Sequence, residues 1–536
     1  MHLAFFKLKS ILNLLLAVFS FYINYYFANI GLYPIDTFSF FDSAYLILQN
    51  YHPIKDYWII SGIFVDYIQS LFFLVFGFNW NSYIIHSSVI NCLISLFFFH
   101  FMNVYNKNLL LNFILSISFA VLCYPIAGTP FPYQHSFILS LASILIFYLA
   151  VDRGNKKLWF LLPIFMFMSF FSMQLPAGLI NLTIIIFSFL YFFKVNRNFL
   201  IYFIYGASFS LTFIIFYLII LEINLKDFFI QIILFPLDVG SGRIAGSEEA
   251  FSSANFFKNL TFRGTLGHFK FINFFILINL FLIIKYFIEK KKLVIDKKII
   301  INLTILFSSI FFIFHQIITA NQTFIFSLIP FLSGLIIIQL KEIIRKNSLK
   351  LNLFILAIII FTTFKYHYEY NLKRKFMDLQ NVNLKKSVKA NQLNEKFKNL
   401  KWITPTYSNK PQEEINLLKQ VIEIINSDEK KNIALITHYQ FFSLILERNF
   451  HIINRWYFPQ NNTHPTSYQS KYYNFYNEKI YSNLKDRKIN KIYFIESYLK
   501  EFDFINYNDF LKDICFTKKN YNKILFSIEL EKCSNK

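Results

Sequence analysis

One pattern dominates the chain between positions 8 and 366: apolar runs of roughly 20 residues separated by short polar breaks. Coiled as a helix, a run of that length matches the hydrocarbon thickness of a bilayer. Within lipid, a helix is the one element that satisfies its backbone hydrogen bonds inside a single segment. Candidate spans centre on 8–30, 82–103, 108–124, 136–151, 158–174, 177–193, 199–221, 271–288, 299–317, 323–340 and 351–367. Composition agrees: 55% hydrophobic and 16% charged residues, with a mean hydropathy of +0.44, leave too little charge to coat a water-soluble protein of this size. From 371 to 536 the character changes, and Lys, Asn, Asp and Glu become abundant. The pattern predicts a polytopic α-helical membrane protein of about eleven transmembrane helices over 1–370, followed by a soluble α/β domain over 371–536.

Basic clusters in the breaks set the orientation, because such clusters stay on the cytoplasmic side. They are Lys7 and Lys9, Lys107, Arg153 with Lys156 and Lys157, Lys194 with Arg197, Lys290 to Lys292 with Lys297 and Lys298, and Lys341, Arg345, Lys346 and Lys350. All of them fall inside only if the further apolar segment 61–78 lies along the membrane surface instead of crossing it. Asp66 and Gln69, three residues apart, share one face of that segment, which suits an interfacial helix. The N-terminus is then cytoplasmic and the C-terminal domain extracytoplasmic, in a cell inner membrane. The first run lacks a small-residue cleavage site and reads as an uncleaved helix. Two long outer loops follow, 31–81 and 223–270, and connections of that length between packed helices usually carry function. The net charge of +22 raises the question of nucleic acid, but many of the basic residues sit in the breaks, where orientation already accounts for them. No nucleic-acid partner is expected.

The first outer loop runs Tyr33-Pro34-Ile35-Asp36-Thr37, then an amphipathic stretch from Phe38 to Leu48 containing Asp42. It continues through His52-Pro53-Ile54-Lys55-Asp56-Tyr57-Trp58 and Ser61-Gly62, and closes on Phe76-Gly77. This order resembles the first extracytoplasmic loop of GT-C glycosyltransferases, the polyprenyl-phosphate-sugar-dependent family that includes protein mannosyltransferases, aminoarabinose transferases and the RgtA/B/C/D-like group. In that family an Asp, usually followed by Glu, opens an amphipathic helix just past the first span. A Pro-Tyr-x-Asp-like element comes next, then a juxtamembrane helix ending in Phe-Gly. Asp36, Pro53 to Asp56 and Phe76-Gly77 take those places here, with Thr37 where Glu is usual and Ser61-Gly62 where Pro-Pro is frequent.

The resemblance implies transfer of a sugar from a polyprenyl-phosphate-linked donor to a cell-envelope glycan, lipid or protein acceptor, on the outer face of the inner membrane. Such a transfer needs a base for the acceptor proton and cations for the departing phosphate. Asp36 is the expected base, although an Asp ahead of an amphipathic run is also a favoured helix cap. Asp42 is expected as an auxiliary acid or as a solvated helix position. For the phosphate, Arg243 is suited to clamp oxygens with two bonds, while Gly240 and Gly242 let backbone N–H groups approach an anion; Arg263 follows in the same loop. His135, His315, Asn321 and Gln322 fall at membrane boundaries, as sugar-pocket lining or as interfacial turns. No metal-ligand spacing, P-loop, HExxH or GxSxG motif is present, so no cofactor is required and a divalent metal has no support. Two other classes compete: a flippase for lipid-linked saccharides, which needs polar groups inside spans that here read as apolar, and a non-catalytic assembly protein.

In the C-terminal domain, Glu413 to Asn426 and Tyr439 to Glu447 read as helices, and Asn432 to Thr437 and Lys491 to Ile495 as strands. Arg455, Trp456 and Tyr457 suit either stacking on a sugar or packing at the membrane surface. Cys515 and Cys533 suit either a disulfide or two free thiols.

Overall fold

The computed structural model describes all residues except 1, 126, 246–255, 291–294, 320–323, 344–347, 458–461, 467–469, 497–514 and 532–536. Among the described residues, nine helices are long and apolar enough to cross a membrane: Lys7–Ala28, Trp80–Tyr105, Pro132–Arg153, Gln174–Lys194, Arg197–Ile220, Leu225–Ala245, Lys270–Lys290, Lys297–Ile318 and Lys350–Met377. They mark a multi-pass membrane protein. The count is lower than the eleven expected: two expected spans form helices of 15 and 17 residues, Leu109–Cys123 and Lys156–Ser172, and a third, Leu328–Ile343, is described only as far as residue 343. Local chemistry bounds two of these. Asn108 and Asn155 cap their first turns by accepting from Leu111 N and Lys157 N, while Tyr124 and Met173 turn extended at the far ends.

Within 223–270, expected as an outer loop, the chain forms the helix Leu225–Ala245, and both ends of it are held by the C-terminal region. Its charged residues find partners there, Lys479 pairing with Asp227 near its start and Arg243 donating to Asn462 near its end. Its apolar residues Ile230, Phe235 and Val239 join a core with Trp58, Ala434 and Ile436. Gly240 and Gly242 lie within the helix Phe235–Ala245, where backbone N–H groups point along the helix to its own carbonyls. The anion-cradling turn expected there does not form.

The helix Pro132–Arg153, buried from Pro132 to Val151, runs through the middle of the bundle. Its 22 residues cover about 33 Å. Phe131, just ahead of it, meets Trp456 of the C-terminal region. At the other end Lys297 donates to Asp152 O, and Gly154 packs on Phe199. The basic breaks around 153, 197 and 297 therefore gather at one end of the bundle, and the C-terminal region sits at the other.

The segment 61–78 forms the helix Phe64–Phe76, whose 13 residues reach about 20 Å and fall short of a span. It buries Asp66, Gln69 and Ser70 and exposes Leu71, Leu74, Val75 and Phe76, the arrangement of a helix whose outer solvent is lipid.

Beyond Met377 the chain forms a short ribbon, β1 (Val388–Lys389) with β2 (Lys401–Trp402), and then a five-stranded sheet. The sheet comprises β3 (Ile433–Thr437), β4 (His451–Ile452), β5 (Lys491–Ile495), β6 (Cys515–Asn520) and β7 (Leu525–Glu531), in the order β4-β3-β5-β7-β6. β3 runs parallel to β4 and β5, and β7 runs antiparallel to β5 and β6. Side-chain alternation gives the sheet two buried faces. Ile433, Leu435, Tyr493 and Ile495 pack with Ile415, Leu418 and Val421 of the helix Pro411–Asn426, whereas Ala434, Ile436, Ile492 and Phe494 pack with Tyr476, Ile480 and Leu484 of the helix Tyr473–Asp486. Neither face is filled by the C-terminal region alone. Phe38, Phe41 and Tyr45 complete the first core, and Trp58, Phe235 and Val239 complete the second. Cys515 is disulfide-bonded, Cys92 and Cys123 are free, and Cys533 lies outside the described residues.

Candidate functional site

Four acids of the first loop lie within 31 positions, and three of them are anchored. Asp42 is fully buried and accepts from Ser443 N and Leu444 N at 3.0 and 2.9 Å, holding the start of the short helix Phe442–Leu446. Asp56 accepts from His52 N and pairs with Arg487. Asp66 accepts from Ser43 Oγ and pairs with Arg455, whose guanidinium also donates to Gly62 O and Ser61 Oγ and covers the Phe40 ring. Asp42 is therefore not the solvated helix position expected as one alternative for it, and both its oxygens serve to hold the C-terminal region. Arg455 and Tyr457 are likewise buried, Tyr457 accepting from Ile453 N and Asn454 N, so neither offers a face to a sugar. Trp456 stays half-buried.

Asp36 differs. It lies in the single-turn helix Pro34–Thr37, which the Thr37 hydroxyl ties back by accepting from Tyr33 N at 3.0 Å. Asp36 caps neither this helix nor Phe41–Ile47. Among the described residues its carboxylate has no hydrogen-bond or ion-pair partner, yet it is only half-buried. Burial, reinforced by the negative charge of Asp378, pushes its pKa from 3.8 up to about 7. Gly31 brings these segments together: it adopts a φ of +68°, and a Cβ there would lie 2.7 Å from Leu379. On the other side Gly128, with a φ of +76°, lets the loop after Leu109–Cys123 pass against Ala28, at the end of the first helix.

The stretch leading to Asp378 leaves the last long helix and carries Lys365, Lys373, Arg374 and Lys375. Arg374 is fully buried beside Tyr124, to which Asn371 donates at 2.6 Å. Lys365 and Lys270 both place their ammonium groups over the Phe271 ring, at 5.6 and 5.4 Å. Lys375 lies over Tyr370, and both Lys375 and Lys365 act electrostatically on His268. Glu369 is taken by Lys373 at 3.0 Å. The result is a cluster of positive groups on an aromatic floor, joined by three residues of chain to the acid beside Asp36.

The sequence-predicted binding residues divide. Arg243 lies within electrostatic reach of His315, whose ring stacks on Tyr133 with centroids 5.0 Å apart, and Tyr133 accepts from Gln316. His135 instead joins a buried chain, its Nε2 lying 3.0 Å from His86 Nε2 and His86 Nδ1 lying 2.9 Å from Gln69 Oε1. Arg263 is exposed at the start of a π-turn, with no ion pair among the described residues. Asn321 and Gln322 lie outside the described residues.

Asp378 and the lysine cluster escape motif reading. Their signal was nonetheless present, since Lys270, Lys365 and Lys375 flank span ends that the basic-break rule leaves free of positive charge. Among the described residues no group of three or more potential metal ligands occurs. No protein-family model and no curated protein matches the chain.

Proposed function

We propose that the chain is a membrane glycosyltransferase of the GT-C type, which moves a sugar from a polyprenyl-phosphate donor to an envelope glycan, lipid or protein on the outer face of the inner membrane. The observation that carries this reading is Asp36: a half-buried carboxylate just past the first helix, without a partner among the described residues and with its pKa raised to about 7. A general base works best when its pKa lies near the working pH. In the reaction, the acceptor oxygen forms a bond to the anomeric carbon as its proton passes to Asp36. The bond from that carbon to the phosphate oxygen breaks with its electron pair, releasing polyprenyl phosphate. Lys270, Lys365 and Lys375 are the cations we assign to the departing charge, and the aromatic rings beneath them suit the prenyl chain.

Lipid-linked sugars and envelope glycans compared by mass spectrometry, with and without the protein, test the assignment. Loss of the protein is expected to leave one lipid-linked sugar accumulated and one glycan species short of a residue, and an Asp36→Asn protein is expected to reproduce both changes. Unchanged profiles in the deletion would reject glycosyl transfer, and full complementation by the Asn variant would reject Asp36 as base.

A further inference from the structure

Lys389 and Lys401 stand opposite each other across the β1–β2 ribbon. Directly opposed residues of an antiparallel pair share a face, with Cβ atoms about 5 Å apart, and like charges there are destabilising. The neighbouring rung, Val388 with Trp402, turns its Trp402 side chain into the core, which sends the lysines outward. Both lysines are exposed, as is Lys398, and none of the three has an ion-pair partner among the described residues. Of the nearby acids, Glu447 is held by Lys396 at 2.7 Å, and Glu395 is one exposed carboxylate against three ammonium groups.

The ribbon is also fixed in height. Lys401 N donates to Asn29 O at 2.9 Å and Gly31 N donates to Lys401 O at 3.0 Å, immediately past the end of the first membrane helix. Asn399 Nδ2 donates to Asn81 Oδ1 at 3.3 Å, in the first turn of the next membrane helix. Tyr22 and Tyr26, exposed on the last turns of the first helix, are the aromatic residues that favour a membrane–water boundary. The three lysines therefore stand at the level of lipid headgroups.

We propose that the face formed by Lys389, Lys398 and Lys401 docks anionic phospholipid headgroups. The headgroup phosphates neutralise the opposed lysine pair and seat the C-terminal region on the bilayer. Charge complementarity and the attachment to two helix ends favour this occupant over a soluble partner, and the inference stands whether or not the chain transfers sugar.

The test uses the full-length protein in phosphatidylcholine nanodiscs doped with photoactivatable phosphatidylglycerol or, separately, photoactivatable phosphatidylcholine, with adducts mapped by peptide mass spectrometry. Phosphatidylglycerol adducts are expected to concentrate between 385 and 402, to exceed phosphatidylcholine adducts there, and to fall at high salt. Changing Lys389, Lys398 and Lys401 to Gln should lower them by about fivefold per lysine removed, with labelling elsewhere unaltered. Equal labelling by the two probes, or a triple variant that labels like the wild type, would overturn the proposal. Because all three side chains are exposed, the variant is expected to fold, and unchanged labelling at the other sites checks that it has.

Discussion

Asp36 and Asp42 lie six residues apart in one loop, and burial raises both to a pKa of about 7, yet they do opposite things. Asp42 meets two backbone N–H groups of the C-terminal region, which oppose the effect of burial on its pKa, and it becomes a fastener. Asp36 meets another carboxylate, Asp378, and stays partly open to solvent. A perturbed pKa therefore separates neither acid from the other. The partners do, because a fully buried carboxylate held in place by backbone donors is kept from an acceptor hydroxyl, whereas one raised by burial and like charge and still partly open can take a proton.

The largest effect that sharpens this contrast is on rate. Asp36→Asn should lower sugar transfer by roughly 10²–10⁴-fold in reconstituted vesicles, the range for loss of a general base. Transfer by the wild type should climb with pH through about 7, as Asp36 ionises. Stability should move the other way. The folded pKa lies above the unfolded 3.8, so the folded state binds the extra proton and stability falls as pH rises from about 4 to 7. The Asn variant should accordingly melt no lower than wild type at pH 8, and a clear loss of melting temperature there would recast Asp36 as structural.

Next in size is the anchored part of the loop. Arg455→Ala leaves Asp66 buried without its cation, a change that typically costs about 3–5 kcal/mol. Thermal unfolding in detergent should show the outer region melting early, with the loop around Asp66 open to protease. A variant as stable as wild type would mean that the loop and the C-terminal region are not joined through this pair.

Asp42→Ala should cost about 1–2 kcal/mol, the scale of a lost cap, and should leave the activity of the folded fraction close to normal. Catalytic loss out of proportion to the folded fraction would return Asp42 to the reaction. The smallest change is expected for Lys365→Gln combined with Lys270→Gln: a KM for the lipid donor raised several-fold with kcat nearly kept, measured at low and high salt. A fall in kcat alone would place the cluster at the transition state and not in donor binding.

Several features were legible along the chain because they depend on neighbours in sequence. Eight of the long helices follow from apolar runs alone, as do the polar face of Phe64–Phe76 and the strand Lys491–Ile495. The short spans were harder to read, because capping by Asn108 and Asn155 decides where a helix starts, and hydropathy is blind to it. The helix Leu225–Ala245 within the second outer loop was obscured for a different reason: the partners of Asp227 and Arg243, Lys479 and Asn462, come from more than 200 residues away.

Local residue order was enough to determine that this chain lives in lipid, that its positive breaks gather at one end, and that an acid follows the first helix, since each of these depends on the energy of moving a segment between water and hydrocarbon. Tertiary structure alone decided which acid is spent on packing and which is left open. That outcome depends on the partner that distant folding delivers to each carboxylate: backbone N–H groups of residues 443 and 444 to Asp42, and Asp378 to Asp36.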